Sequence, residues 1–159
     1  MAFDFSLWIH AGDNTEQVGT FLHTHASIET KLNQYNLHLQ THKNHYLLKT
    51  DQVSQVGIRS LQDAHEMSLI GFEFLKILLK APPFHYAMVG LGLTKWRDLH
   101  EFLPYPKDLL LTKGFVVRED IYDKMEISAN TDQSFRLDIG FFRNGYLWIP
   151  YIGEWEFPF

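Results

Sequence analysis

Imidazoles and carboxylates carry most of the chemistry open to this 159-residue chain, which has nine histidines, nineteen acidic side chains and no cysteine. Five of the nine histidines fall in FLHTHASIETKLNQYNLHLQTHKNHY, Phe21 to Tyr46. Imidazoles can share a transition metal when they lie on one side of a rigid element: i, i+3 or i, i+4 on a helix, i, i+2 on a strand. His23 and His25 have strand spacing but sit in a predicted helix, where they diverge by about 200°. His42 and His45 have helix spacing but flank a predicted hairpin turn. His38 and His42 share a face only if the segment is helical. No metal or other cofactor is therefore expected, and exposed or hydrogen-bonded histidines are the ordinary reading.

Other catalytic patterns are incomplete. HEMSL at His65 and HEFLP at His100 begin like a zinc-hydrolase motif, yet the fifth position is Leu69 or Pro104 instead of a second histidine. VGLGLTK places Lys95 where a dinucleotide-binding turn needs its third glycine, so Gly90 and Gly92 read as strand glycines that permit close packing. A Walker phosphate loop and a GxSxG nucleophile elbow are both absent. The absence of cysteine excludes disulfides, thiolate catalysis and thiolate metal sites.

Two acidic stretches remain. REDIYDKME gathers Glu119, Asp120, Asp123 and Glu126, diluted by Arg118 and Lys124 and without EF-hand spacing. A solvated face is its ordinary role, and a partner-binding surface its functional one. The tail YIGEWEFPF interleaves Tyr151, Trp155, Phe157 and Phe159 with Glu154 and Glu156. Alternate aromatics can pin a last strand into a core, or they can anchor a protein interface that the carboxylates steer.

The formal net charge is −5, and residues 1–80 and 81–159 are both mildly acidic. A chain without a concentrated basic face is a poor nucleic-acid ligand and suits a basic partner. The longest apolar run, LIGFEFLKILL, contains Glu73 and Lys76 and is too short to span a bilayer. Asp4 stands where a signal peptide would be positive, so a soluble cytoplasmic protein is expected.

The elements that must position these groups follow from periodicity. A hydrophobic content of 45% with 21% charge predicts a single globular domain over 1–159. FDFSLWI alternates as a half-buried strand does. Asp13 and Glu16 suggest a capping box for a helix over about 15–32. NLHLQTHKNHYLLKTD predicts a β-hairpin turning at HKN, with a helix as the alternative.

The strongest helix is expected over 53–80. Arg59, Gln62, Asp63, Glu66, Glu73, Lys76 and Lys80 form its polar stripe, and Leu61, Ala64, Met67, Ile70, Phe74, Leu75 and Leu78 its apolar circumference. HYAMVGLGL and GFVVREDIY predict strands, and TKWRDLHEF a short helix. FRLDIGFFRNGYLWIPYIG predicts a hairpin at Asn144–Gly145 that pairs Phe141 with Trp148 and Phe142 with Leu147. Leu137, Ile139, Phe141 and Trp148 should then face the core, leaving Phe142, Leu147, Ile149 and Tyr151 covered by a helix or free to bind. Pro150 suggests an edge strand.

The expected fold is α+β: a mostly antiparallel sheet of about five strands on a long central helix, with one or two shorter helices. The expected function is non-enzymatic protein binding, most concretely as an immunity-type inhibitor that occludes a basic toxin enzyme. Its surface residues would be Glu119, Asp120, Asp123, Glu126, Glu154, Trp155 and Glu156. The alternative is a small enzyme, such as a metal-dependent hydrolase, built on His10, His85, His100, Asp98 and Asp138.

Overall fold

The central element is the first strand, β1 (Phe5–His10), whose six residues are all buried. In the computed structural model, which describes residues 4–51, 58–91, 113–129 and 139–150, β1 lies in the middle of an eight-stranded antiparallel sheet. The other strands are β2 (Ser27–Glu29), β3 (Gln34–His42), β4 (His45–Thr50), β5 (Tyr86–Leu91), β6 (Phe115–Arg118), β7 (Gly140–Arg143) and β8 (Tyr146–Trp148). Their spatial order is β2-β3-β4-β1-β5-β6-β8-β7. The sheet is thus wider than the five strands expected. The strand without a counterpart in the sequence reading is β2, whose three residues are too few to show a clear alternation.

Alternation along β1 divides the molecule into layers. Phe5, Leu7 and Ile9 point to one face, where they meet α1 (Thr15–His23) and α2 (Leu61–Lys80) through Val18, Leu22, Met67, Ile70, Phe74 and Leu78. Trp8 points to the opposite face, where it clusters with Leu47, Tyr86, Phe115 and Val117. There α3 (Glu119–Ala129) adds Ile121 and Met125. Burial on both faces replaces the half-buried strand that the sequence suggested.

Helix ends account for four further differences. α2 begins at Leu61, because Ser60 accepts from the Asp63 N–H while the Asp63 carboxylate accepts from the Ser60 N–H. This reciprocal cap satisfies amides that the helix itself cannot. Leu61 is consequently 91% exposed, not part of the apolar circumference. α1 stops at His23, and the chain turns into β2 where a helix to residue 32 was expected. Its N-cap is Asn14, whose side chain donates to the Pro83 carbonyl (2.8 Å), so the Asp13–Glu16 box is not what caps the helix. The predicted strand GFVVREDIY ends at Arg118, and α3 follows at once because Ile121 and Met125 fall one turn apart on the sheet-facing side.

The β3–β4 hairpin forms as expected, with Lys43 (φ 53°) and Asn44 between paired His42 and His45. The C-terminal hairpin turns at Asn144–Gly145 (Gly145 φ 83°), but its register is shifted. Phe141 pairs with Leu147 and Gly140 with Trp148, with a bulge between Phe141 and Arg143. One extra residue in a strand re-aims the side chains before it. Phe142 therefore enters the core against Trp148 (6.0 Å between ring centres), while Phe141 is 71% exposed. β8 lies between β6 and β7 and not at an edge; Pro150 simply follows the last paired residues. The helix expected at TKWRDLHEF, residues 53–57, Leu137 and Tyr151 lie outside the described residues.

Candidate functional site: a histidine row beside an acidic surface

Cross-strand pairing assembles what no local spacing could. His10 on β1 pairs with His45 on β4 and with Tyr86 on β5, and His45 pairs in turn with His42 on β3. All four side chains lie in one transverse row on the face that also carries Trp8. The His10 ring meets His45 edge-on (4.6 Å between centres) and stacks on Tyr86 (4.7 Å, 17°). It also stacks on His85, the residue just before β5 (5.3 Å, 17°).

Hydrogen bonds fix the protons in this row. The Trp8 indole N–H donates to His45 Nδ1 (3.2 Å), and the Gly12 amide donates to His10 Nδ1 (3.2 Å). A ring nitrogen that accepts holds no proton, so Nδ1 of each ring carries none. The Asn44 side-chain Nδ2 lies 3.3 Å from His10 Nε2. His10 and His45 are only 5% and 2% exposed. His45 is therefore an interior residue, although a hairpin would ordinarily leave these histidines at the surface. His42 is exposed, and so is His38, which pairs with Asp51. That contact holds the Asp51 carboxyl below its ordinary range.

His85 sits at the rim of the row. Its N–H donates to the His10 carbonyl (2.9 Å), and its carbonyl accepts from the Arg118 N–H (3.0 Å). Gly12, in the left-handed region (φ 64°), packs so closely that a Cβ there would lie 2.2 Å from His85 Nε2. Only glycine fits both the conformation and the space. Asp13 follows, 97% exposed at its side chain, with Oδ1 3.6 Å from His85 Nε2. Burial and the Arg118 cation hold His85 below its ordinary pKa of 6.5, against a smaller upward pull from Asp13 and Asp120.

The acidic surface begins where this rim ends. α3 starts directly after Arg118, and the Glu119 N–H is satisfied by the Gly145 carbonyl (2.9 Å). Arg118 closes a two-pronged ion pair on Asp120 (2.6 and 2.9 Å), which lowers the Asp120 pKa and raises that of Arg118. Asp120 is thus engaged within the chain. Glu119 and Asp123, one turn apart, are both exposed. The side chain of Glu126 and all of Glu154, Trp155 and Glu156 lie outside the described residues, as do Asp98, His100 and Asp138.

One buried acid departs from the expected polar stripe of α2. Glu66 is 7% exposed, and its Oε1 accepts from Thr30 (2.6 Å), Tyr35 (2.8 Å) and Asn33 (3.4 Å). It ties the β2–β3 turn to the helix, and burial with the nearby carboxylate pushes the Tyr35 phenol up to about 12. Among the described residues no group of three or more His, Asp or Glu side chains is placed to share a metal ion. No described helix is long and apolar enough to cross a membrane.

Comparison with family models, curated proteins and solved structures finds no match.

Proposed function

We propose that this chain is a protein-binding module that engages a basic partner through the acidic end of its sheet, where Asp13, Glu119 and Asp123 meet solvent. Its most concrete form is an immunity-type inhibitor that acts in the cytoplasm by occluding the cleft of a toxin enzyme. One observation carries the reading. Three carboxylates stand exposed; of the cations beside them Arg118 is neutralised by Asp120 and Lys124 stays exposed, so the surface is acidic on balance. A net acidic field steers a basic surface into register. Phe141, exposed on the edge strand β7, offers an aromatic anchor on the same sheet. Glu126, Glu154, Trp155 and Glu156 belong to the proposal on their sequence alone.

The test is stoichiometric inhibition. A basic enzyme captured from the source cells should lose activity in proportion to added chain, reaching completion near one equivalent. A captured protein whose activity is untouched at excess would overturn the inhibitor form.

A second reading, a small enzyme or metal-dependent hydrolase, is favoured by the convergence of His10, His45 and His85 with Tyr86. Against it, His10 and His45 are withdrawn from solvent with Nδ1 already engaged. Metal analysis of untagged protein separates the two, since stoichiometric zinc, manganese or iron would favour the enzyme.

A further inference from the structure

We propose that His85 gates the acidic surface by pH: its neutral ring leaves the Asp13 carboxylate open to a cationic side chain of the partner, whereas its protonated ring takes Asp13 and repels that cation. This rests on the acidic surface being the partner contact, and adds its regulation.

The geometry provides a switch with one moving charge. Asp13 Oδ1 lies 3.6 Å from His85 Nε2, close enough for an ion pair once the ring is charged and too long for a tight hydrogen bond before that. The Asp13 side chain is 97% exposed, so its other side is open to a partner. The ring cannot retreat. Gly12 lies against one side, His10 stacks on it, and backbone hydrogen bonds to His10 and Arg118 hold residue 85 in place.

Each charged or titratable neighbour has a definite sign. From the loop after β1, Asp13 favours the imidazolium. From β6, Arg118 opposes it, and Asp120 at the start of α3 offsets part of that opposition. From β1, the stacked His10 ring accepts from the Gly12 amide at Nδ1, and Tyr86 is the neighbour on β5. A partner cation docked on Asp13 would add a second opposing charge. By linkage, whatever makes His85 harder to protonate must itself bind less well when His85 is protonated. The partner is thus held while His85 is neutral and loosened as the pH falls through the lowered His85 value.

Nonaarginine peptide serves as the probe, with affinity measured by fluorescence anisotropy at pH 7.5 and 5.5 and low salt. The wild type should lose about three- to fivefold in affinity at the lower pH, the scale of one exposed ion pair. His85→Gln should abolish that loss. So should Asp13→Asn, a change at an exposed side chain that leaves the packing intact. Adding the peptide should also lower the pKa of the His85 ring as followed by NMR.

Equal wild-type affinity at the two pH values, or an undiminished loss in both variants, overturns the gate while leaving the acidic surface standing. Binding at pH 7.5 that is unaffected by E119K and D123K overturns the acidic surface, and the gate with it.

Discussion

At the scale of single residues, the site depends on one glycine and one histidine. Gly12 combines a positive φ with a Cα that lies against the His85 ring, so Gly12→Ala meets both backbone strain and a collision. It should cost about 1–3 kcal/mol in urea denaturation and displace the His85 ring resonances. His85 makes stability depend on pH in a definite direction. Its folded pKa lies below its ordinary 6.5, so folding favours the neutral ring. That contribution is complete above about pH 6.5 and is lost as the pH falls from there through the lower folded value. Urea midpoints measured from pH 7.5 to 5.5 should decline in the wild type and decline less in His85→Gln. An identical decline in both proteins would assign the acid sensitivity to other groups. His10 and His85 were legible as candidates because they bracket strands. The row they form with His45 was not, since residues 10, 45 and 85 meet only through pairing across three strands.

At the scale of elements, the periodic segments were readable and the junctions were not. The long helix, the β3–β4 hairpin and the Asn144–Gly145 turn all follow from spacing and turn chemistry. The start of α2 was placed too early, although Ser60 and Asp63 spell its cap. The strand-to-helix change at Arg118–Glu119 was hidden because FVV continues smoothly into a polar run. A bulge is silent in sequence, yet it exchanged the fates of Phe141 and Phe142. Arg143 shows what holds this edge together. Its guanidinium donates to the carbonyls of Leu78, Leu79 and Ala81 (3.0, 3.2 and 2.6 Å), which close the C-terminus of α2, and it lies over the Tyr146 ring at 4.4 Å. Charged donors at a helix C-terminus satisfy orphan carbonyls and oppose the dipole. Arg143→Met should destabilise by about 1.5–3 kcal/mol in chemical denaturation, with Arg143→Lys recovering part of the loss because an ammonium lacks the planar fork.

At the scale of the whole molecule, the charge that composition reports becomes a place. A net charge of −5 spread over two acidic halves says only that a basic partner is suited. The fold brings Asp13, from the loop after β1, to the rim where β6 passes into α3, more than a hundred residues later in the chain. It also engages Asp120 in a surface ion pair with Arg118 and sends Glu66 into the interior, so the acids are not interchangeable. Asp13 was missed as a surface group because the sequence offered it a different role, as half of a capping box. The most direct measurement of the central claim is quantitative affinity capture from the source cells with two baits: the wild type and the triple variant D13K/E119K/D123K. All three positions are exposed, so the variant should fold with an unchanged urea midpoint, checked in parallel. A basic protein should be retained by the wild type and lost, by tenfold or more, from the variant. Retention of that same protein at equal yield by both baits would contradict the account.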